Sequence, residues 1–260
     1  TDTAAYDDST QAVTISLTSN TGSGGDAEGD VFSGIENLIG STENDTIQGD
    51  GVANRLDGSG GDDTLEGLGG SDVLVGGSGT DTADYRASAA PVTVDLDGNT
   101  GTGGDAQGDT FSSIERVLGS AGADSLTGDT GQNTLEGNDG DDVLTGLAGG
   151  DTLIGGDGVD EAVYTLSNNA VQIDLSQGSG AGGHAQGDTF TTIENIVGSN
   201  FADTIEGDGL ANHLQGGNAD DVLIGNAGAD QLDGGAGTDT ADYSDATTAV
   251  TINMDTGVHT

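Results

Sequence analysis

The stretch Gly76-Gly77-Ser78-Gly79-Thr80-Asp81-Thr82-Ala83-Asp84 sets one carboxylate and one aliphatic at fixed places in a glycine-rich unit of nine residues. The unit belongs to a run. From Gly40 the chain divides into nonapeptides that begin at Gly40, Gly49, Gly58, Gly67 and Gly76. Their sixth residues are Asp45, Asn54, Asp63, Asp72 and Asp81, and their eighth are Ile47, Leu56, Leu65, Leu74 and Ala83. The run returns with sixth residues Asp124, Asn133, Asp142, Asp151 and Asp160, and again with Asp203, Asn212, Asp221, Asp230 and Asp239. An Asn in the second unit of every run is therefore part of the pattern.

The runs sit inside a longer period. The segments Asp2 to Tyr6, Asp81 to Tyr85, Asp160 to Tyr164 and Asp239 to Tyr243 are spaced 79 residues apart, as are Phe32, Phe111 and Phe190. Residues 1–79, 80–158 and 159–237 are read as three modules, and 238–260 as the start of a fourth. Between runs lies a less regular stretch, residues 85–118 in the middle module. Val92, Val94 and Leu96 alternate there and predict a strand, as do Val13/Ile15/Leu17, Val171/Ile173/Leu175 and Val250/Ile252/Met254. A glycine-rich loop from Gly101 to Asp109 and an apolar segment with Phe111, Ile114 and Val117 follow. This stretch reads as two or three half-turns. Whether successive modules keep or exchange their edges stays open at this point.

Composition narrows the function. The 260 residues include 46 Asp and Glu against 3 Arg and Lys, a net charge of −43, with 50 glycines and no cysteine. Nucleic acid is not expected as a partner, because the only cations are Arg55, Arg86 and Arg116 and phosphate contacts need clustered ones. No apolar run approaches the ~20 residues of a membrane span, so membrane insertion is not expected either, and no signal-peptide pattern is present. The carboxylates number 15, 15 and 12 in the three modules and 4 in the tail, so the charge belongs to the repeat. Low hydrophobicity with high net charge is the composition of a disordered chain, unless something neutralises it.

The nonapeptide suggests what does. Glycines permit positive-φ turns and let carbonyls converge, the Asp adds a hard anionic oxygen, and the aliphatic starts a short inward-facing strand. Carbonyl plus carboxylate is a calcium ligand set, which takes 6–8 oxygens at about 2.3–2.6 Å. Without cysteine and with only His184, His213 and His259, transition metals are poorly served.

The units resemble the RTX repeat, Gly-Gly-x-Gly-x-Asp-x-U-x, a calcium-binding β-helix repeat. The resemblance implies an all-β fold, a right-handed parallel β-roll or β-solenoid loaded with calcium, in which two nonapeptides make a turn and loops i and i+2 share an ion. Carried onto this chain, Asp45/Asp63/Asp81 stack on one edge and Asn54/Asp72 on the other. The matching sets are Asp124/Asp142/Asp160 with Asn133/Asp151, and Asp203/Asp221/Asp239 with Asn212/Asp230. The glycines expected to shape these sites are Gly58, Gly60, Gly76, Gly79, Gly137, Gly155, Gly158, Gly216, Gly234 and Gly237. About 3–4 calcium ions per module would cancel roughly half of its charge.

Other signals are weaker. Gly101-Thr-Gly-Gly-Asp-Ala106 fits a dinucleotide fingerprint, but its strand–turn–helix setting is missing. Asp95 to Asn99 starts like an EF-hand loop without the closing Glu, and the three His occupy unrelated module positions. Catalytic sites occur once, whereas every feature here recurs, so no catalytic residue and no enzyme activity is expected. Without calcium the chain should be disordered, and calcium binding becomes folding energy. The resemblance implies type I secretion of an unfolded bacterial chain, folding outside the cell, and an extracellular or cell-surface location. Both ends fall inside a repeat without a capping coil, so the expectation is a window on a longer array: a calcium-rigidified stalk or filament of an adhesin or surface-layer protein. Its protein contacts would be neighbouring modules or self-association. Two alternatives remain: a secretion and folding module attached to an enzyme, and an ice-binding solenoid. Thr46, Thr64 and Thr82 line an outward edge for the latter, but Ser125, Val143 and Glu161 break the row in the second module.

Overall fold

The computed structural model describes residues 1–244, 246, 247 and 249. The strand expected at Val250, Ile252 and Met254, and His259, lie outside them. The chain is a parallel β-roll. Most strands are three residues long, with the middle side chain buried and its neighbours turned outward, as in Thr46–Gln48 and Thr64–Glu66. Among the described residues the only helical segments are single 3-10 turns at Gly25–Ala27, Gly104–Ala106 and Gly183–Ala185.

Two walls enclose the core. One is a 14-stranded sheet that runs the length of the roll. Its inward residues stack in register as Ile15, Ile47, Leu65, Ala83, Val117, Leu135, Leu153 and Phe190. The opposite wall is split into a 5-stranded and an 8-stranded sheet. The first stacks Ala4, Leu38, Leu56, Leu74 and Phe111. The second stacks Val94, Leu126, Leu144, Ala162, Ile196, Leu214 and Leu232. The eighth residue of each nonapeptide is thus the core, and Ile47, Leu56, Leu65, Leu74 and Ala83 are all fully buried. Each buried aliphatic contributes about 1.5–3 kcal/mol, a small gain for a coil of nine residues whose backbone ordering costs about 1–2 kcal/mol per residue.

The irregular stretch is a hairpin inserted into one wall. Thr93–Asp95 pairs antiparallel with Thr100–Thr102, and Thr110–Ser112 then returns to lie parallel on Val73–Ser78. Asp95 Oδ1 accepts the Gly98 N–H at 2.7 Å, so the EF-hand-like start is a hairpin turn. Tyr85 and Phe111 fill the enlarged interior edge to face, with ring centroids 6.4 Å apart, and Tyr164 and Phe190 repeat the contact. Gly104 must be glycine: its φ is 44°, and a Cβ there would lie 2.5 Å from the Ala90 carbonyl oxygen.

This insertion settles the question of edges. After Thr82–Asp84 the chain alternates walls through Thr93–Asp95, Arg116–Leu118, Ser125–Thr127, Thr134–Asp139, Val143–Thr145 and Thr152–Asp157 to Glu161–Val163. That is seven steps over 79 residues, an odd number. The sheet that holds Thr82–Asp84 therefore continues with Arg116–Leu118 and Thr134–Asp139, not with Ser125–Thr127. Equivalent coils of successive modules lie on opposite walls.

Candidate calcium-binding columns

Each Asp at the sixth position sits in the turn before a strand, and its carboxylate caps the backbone of the coil below. Val13 N–H donates to Asp45 Oδ1 at 2.7 Å, Asp45 N–H to Asp63 Oδ1 at 2.7 Å, and Asp63 N–H to Asp81 Oδ1 at 2.9 Å. On the same edge Asn133 N–H donates to Asp151 Oδ1 at 2.9 Å and Asp151 N–H to Asp188 Oδ1 at 2.8 Å. The opposite edge runs from Asn54 to Asp72 to Asp109, then from Val92 to Asp124, Asp142 and Asp160. In the third module Val171, Asp203, Asp221 and Asp239 continue the pattern, and Asn212 N–H donates to Asp230 Oδ1. The residues form two columns, and the three-Asp and Asn–Asp sets exchange edges at each module.

A repeated N–H···Oδ1 bond uses one oxygen of each carboxylate. The other oxygen is left buried and unpartnered at Asp63, Asp72, Asp81, Asp142, Asp151, Asp160 and Asp221. These side chains are at most 1% exposed. An unpaired buried carboxylate oxygen is costly, and seven in register call for a cation. Burial pushes Asp63, Asp72 and Asp151 up to about 7, against the pull of the capped N–H. Asp142 and Asp221 rise to about 6 for the same reason, with neighbouring carboxylates adding to the effect.

Carbonyls complete the donor set. A Cβ on Gly58 would overlap Asp63 Oδ2 and stand 2.7 Å from the Gly76 carbonyl oxygen. On Gly137 it would overlap Asp142 Oδ2 and stand 2.8 Å from the Gly155 carbonyl. The glycine at position one thus opens a cradle in which carboxylate and carbonyl oxygens converge. Gly76, Gly155, Gly216 and Gly234 stand likewise against Asp81, Asp160, Asp221 and Asp239. Gly79, Gly158 and Gly237 instead pass close over the carbonyls of Gly61, Gly140 and Ala219, at φ of 143°, 156° and 159°. Gly60 has only distant neighbours. No group of three or more acidic, His or Cys side chains converges among the described residues. The donor set is one or two carboxylates plus carbonyls, which fits a hard oxygen-seeking cation.

The first Asp of each run differs from the rest. Asp124 Oδ2 accepts the Ser120 N–H at 2.5 Å and its Oδ1 accepts Ser120 Oγ–H at 2.8 Å, in addition to Val92 N–H. Ser199 binds Asp203 in the same way, and Ser41 binds Asp45. These three carboxylates have no orphaned oxygen, whereas Asp63, which accepts the Asp45 N–H, keeps one. Sequence reading missed the serines, although Gly-Ser at 40–41, 119–120 and 198–199 keeps the period of 79. It also missed Asp109 and Asp188. Asp109 takes Asp72 N–H on one oxygen and the Tyr85 hydroxyl on the other at 2.8 Å, and Asp188 does the same for Asp151 and Tyr164.

The Asn has a specific task. Asn54 Oδ1 accepts the Asp50 N–H at 2.8 Å, while its Nδ2 donates to the Glu36 carbonyl at 2.9 Å. Asn212 repeats both bonds with Asp208 and Glu194. A carboxylate has no proton to give that carbonyl. Asn54→Asp is therefore expected to cost the calcium-loaded chain about 1–3 kcal/mol, read from the midpoint of urea unfolding. A midpoint equal to wild type would remove this account of the Asn.

Comparison with known proteins agrees with this geometry. The family model described as RTX calcium-binding nonapeptide repeat (4 copies) matches residues 30–51, 48–83, 109–144, 127–162 and 206–241, more than half of the chain. No curated protein matches. Among solved structures, the extracellular lipase LipA from Serratia marcescens aligns at 22% identity with a TM-score of 0.30. The alignment covers 88% of this chain and 35% of the lipase chain, so this chain spans about a third of that protein. A likeness that loose carries no argument about activity. The recurring Asp columns and the matched repeats lead to one assignment: the chain belongs to the RTX calcium-binding nonapeptide repeat family.

Proposed function

We propose that this segment is a non-catalytic, calcium-rigidified stalk of a secreted or surface protein, built from 79-residue modules and folded outside the cell. The observation that carries the reading is the double column of buried carboxylates, seven of which keep one oxygen without a partner. Asp63, Asp72, Asp81, Asp142, Asp151, Asp160 and Asp221 are the proposed ligands, with Asp230 and Asp239 at the carboxyl-terminal end of the columns. Asp45, Asp124, Asp203 and the three Asn close the columns. Bound calcium would supply the positive charge that offsets these carboxylates. The chain's own residues position the oxygens, exclude water through the aliphatic core and hold successive coils in register.

Small-angle scattering tests the rod. Fourteen strands at ~4.8 Å give a longest dimension of about 60 Å with calcium, whereas the unfolded chain, with a radius of gyration of about 56 Å, extends far beyond that. A calcium-loaded particle that scatters as a compact sphere, or shows no change on chelation, would sink the proposal.

The raised carboxylates set a pH dependence. Their folded values of about 6 to 7 lie above the unfolded value of about 4. Without calcium the contribution to folding is full below about pH 4 and is lost as pH rises through about 6 to 7. In chelator the β signal in circular dichroism should be larger at about pH 5 than at about pH 8. With calcium the order reverses, since protons and calcium compete for the same oxygens and the calcium midpoint rises on acidification. A chelated chain that folds better at alkaline pH would contradict this.

A second reading, ice binding, draws on one observation. Because the modules exchange walls, Ser125, Val143 and Glu161 lie on the other face, and the row Thr14, Thr46, Thr64 and Thr82, of which Thr82 is buried rather than outward, continues past Arg116 through Thr134, Thr152 and Thr189. The outward row beside it carries Glu66, Asp84 and Glu136, with Arg86 bound to Asp84 and Arg116 to Glu136 at 2.6 Å. Such charges hold water in their own order, so no thermal hysteresis is expected of the calcium-loaded chain. A freezing-point gap would restore the alternative.

A further inference from the structure

The columns do not stop where the nonapeptides stop. Asp81 is the last Asp of its run, and its own N–H donates to Glu115 Oε2 at 2.9 Å. Asp160 N–H donates to Glu194 Oε2 at the same distance. In each case a glutamate from the irregular stretch occupies the level where the next Asp of the column would stand. The reason lies in chain length. From Gly76 to its Asp81 is five residues, but from Ser113, which replaces that glycine in the next level, to Glu115 is only two. The shortened coil is met by the longer side chain.

The carbonyl is replaced as well. Over Gly58 the oxygen that meets Asp63 Oδ2 is the Gly76 carbonyl. Over Gly76 it is the Ser113 carbonyl: a Cβ built there would overlap that oxygen and lie 2.5 Å from Asp81 Oδ2. Over Gly155 the Thr192 carbonyl and Asp160 Oδ2 converge in the same way. Ser113 and Thr192 hold left-handed backbone at φ of 53° and 50°, and Gly34 does so at the equivalent place. That conformation is unfavourable for an ordinary residue. Asp81 and Asp160 are both 0% exposed, and each Oδ2 lacks a partner. These two oxygens face the junction rather than the repeat below, because the site beneath is formed over Gly58 by Asp63 and over Gly137 by Asp142.

We propose that each module junction carries its own calcium site, made by Asp81, Glu115 and the Ser113 carbonyl at the first and by Asp160, Glu194 and the Thr192 carbonyl at the second. The site lies outside the nonapeptide pattern, and it clamps the inserted hairpin to the end of the preceding run. It carries the column of acidic side chains one level past the last nonapeptide of the run. The proposal rests on calcium binding by the repeats themselves.

The test counts ions on the 260-residue chain by native mass spectrometry and calorimetric calcium titration. Glu115→Gln and Glu194→Gln are each expected to lose one calcium ion relative to wild type, and the double variant two, while circular dichroism at saturating calcium keeps its β signal. Glu115→Asp retains the charge but not the reach, and is expected to lose the ion as well. An unchanged ion count in both single Gln variants would overturn the proposal, as would a Glu115→Asp variant that counts as wild type. If the double variant does not fold, the single variants carry the count. Failure of the underlying reading is distinct: wild type itself would then bind no calcium.

Discussion

Chelation is expected to unfold the whole roll, not to loosen its edges. The far-ultraviolet β signal should vanish, and the buried tyrosines Tyr85 and Tyr164 should report the loss in their fluorescence. The magnitude follows from linkage. One site at a hundredfold excess of ligand over its dissociation constant adds about 2.7 kcal/mol, so a few sites together match the 5–15 kcal/mol of a typical domain. Against that stands a core of one aliphatic per coil and a charge of −43. Carboxylates stacked at ~4.8 Å repel by about 1 kcal/mol per pair even in bulk water, and more strongly when buried. Nothing among the described residues offsets this: Arg55, Arg86 and Arg116 are held by Asp57, Asp84 and Glu136 on the surface, where such pairs contribute little. Magnesium should not substitute, since it demands a small octahedral shell and dehydrates reluctantly. A β-rich chain in chelator, or equal folding with magnesium, would defeat the calcium account.

The parts of this fold legible in the sequence are those repeated every nine residues. Leu56, Leu65 and Leu74 announce the core and Asp63 and Asp72 the columns, because position within the unit alone fixes their place. The exchange of walls was not legible, since it depends on how many half-turns residues 85–118 make. That number follows from the hairpin at 93–112 folding into one wall instead of crossing between walls. The serines were hidden for another reason. Ser120 occupies a variable position of the nonapeptide, and only the contact to Asp124 shows that it takes the oxygens an ion would otherwise need. Glu115 escaped because its coil is three residues short, so neither residue type nor spacing matches the motif it continues.

The second large effect concerns how damage spreads. Leu135 is fully buried at the middle of the long wall, between Val117 and Leu153. Leu135→Ala should cost about 2–5 kcal/mol, and Leu135→Asp more, since the added charge has no partner among aliphatics. A globular core would pass that loss to the whole molecule. Here each coil touches only its neighbours, so stability is close to a sum of coils and interfaces. The calcium-loaded Leu135→Asp chain is therefore expected to melt in two calorimetric transitions, one for the coils before the lesion and one for those after it. Thr134→Asp, one residue away but facing outward at the wall, should leave a single transition near the wild-type temperature. A single transition in Leu135→Asp, shifted down as a unit, would mean that the columns couple coils over longer distances than strand contact alone. In that case ions held at the junction levels of Glu115 and Glu194 would be the coupling element.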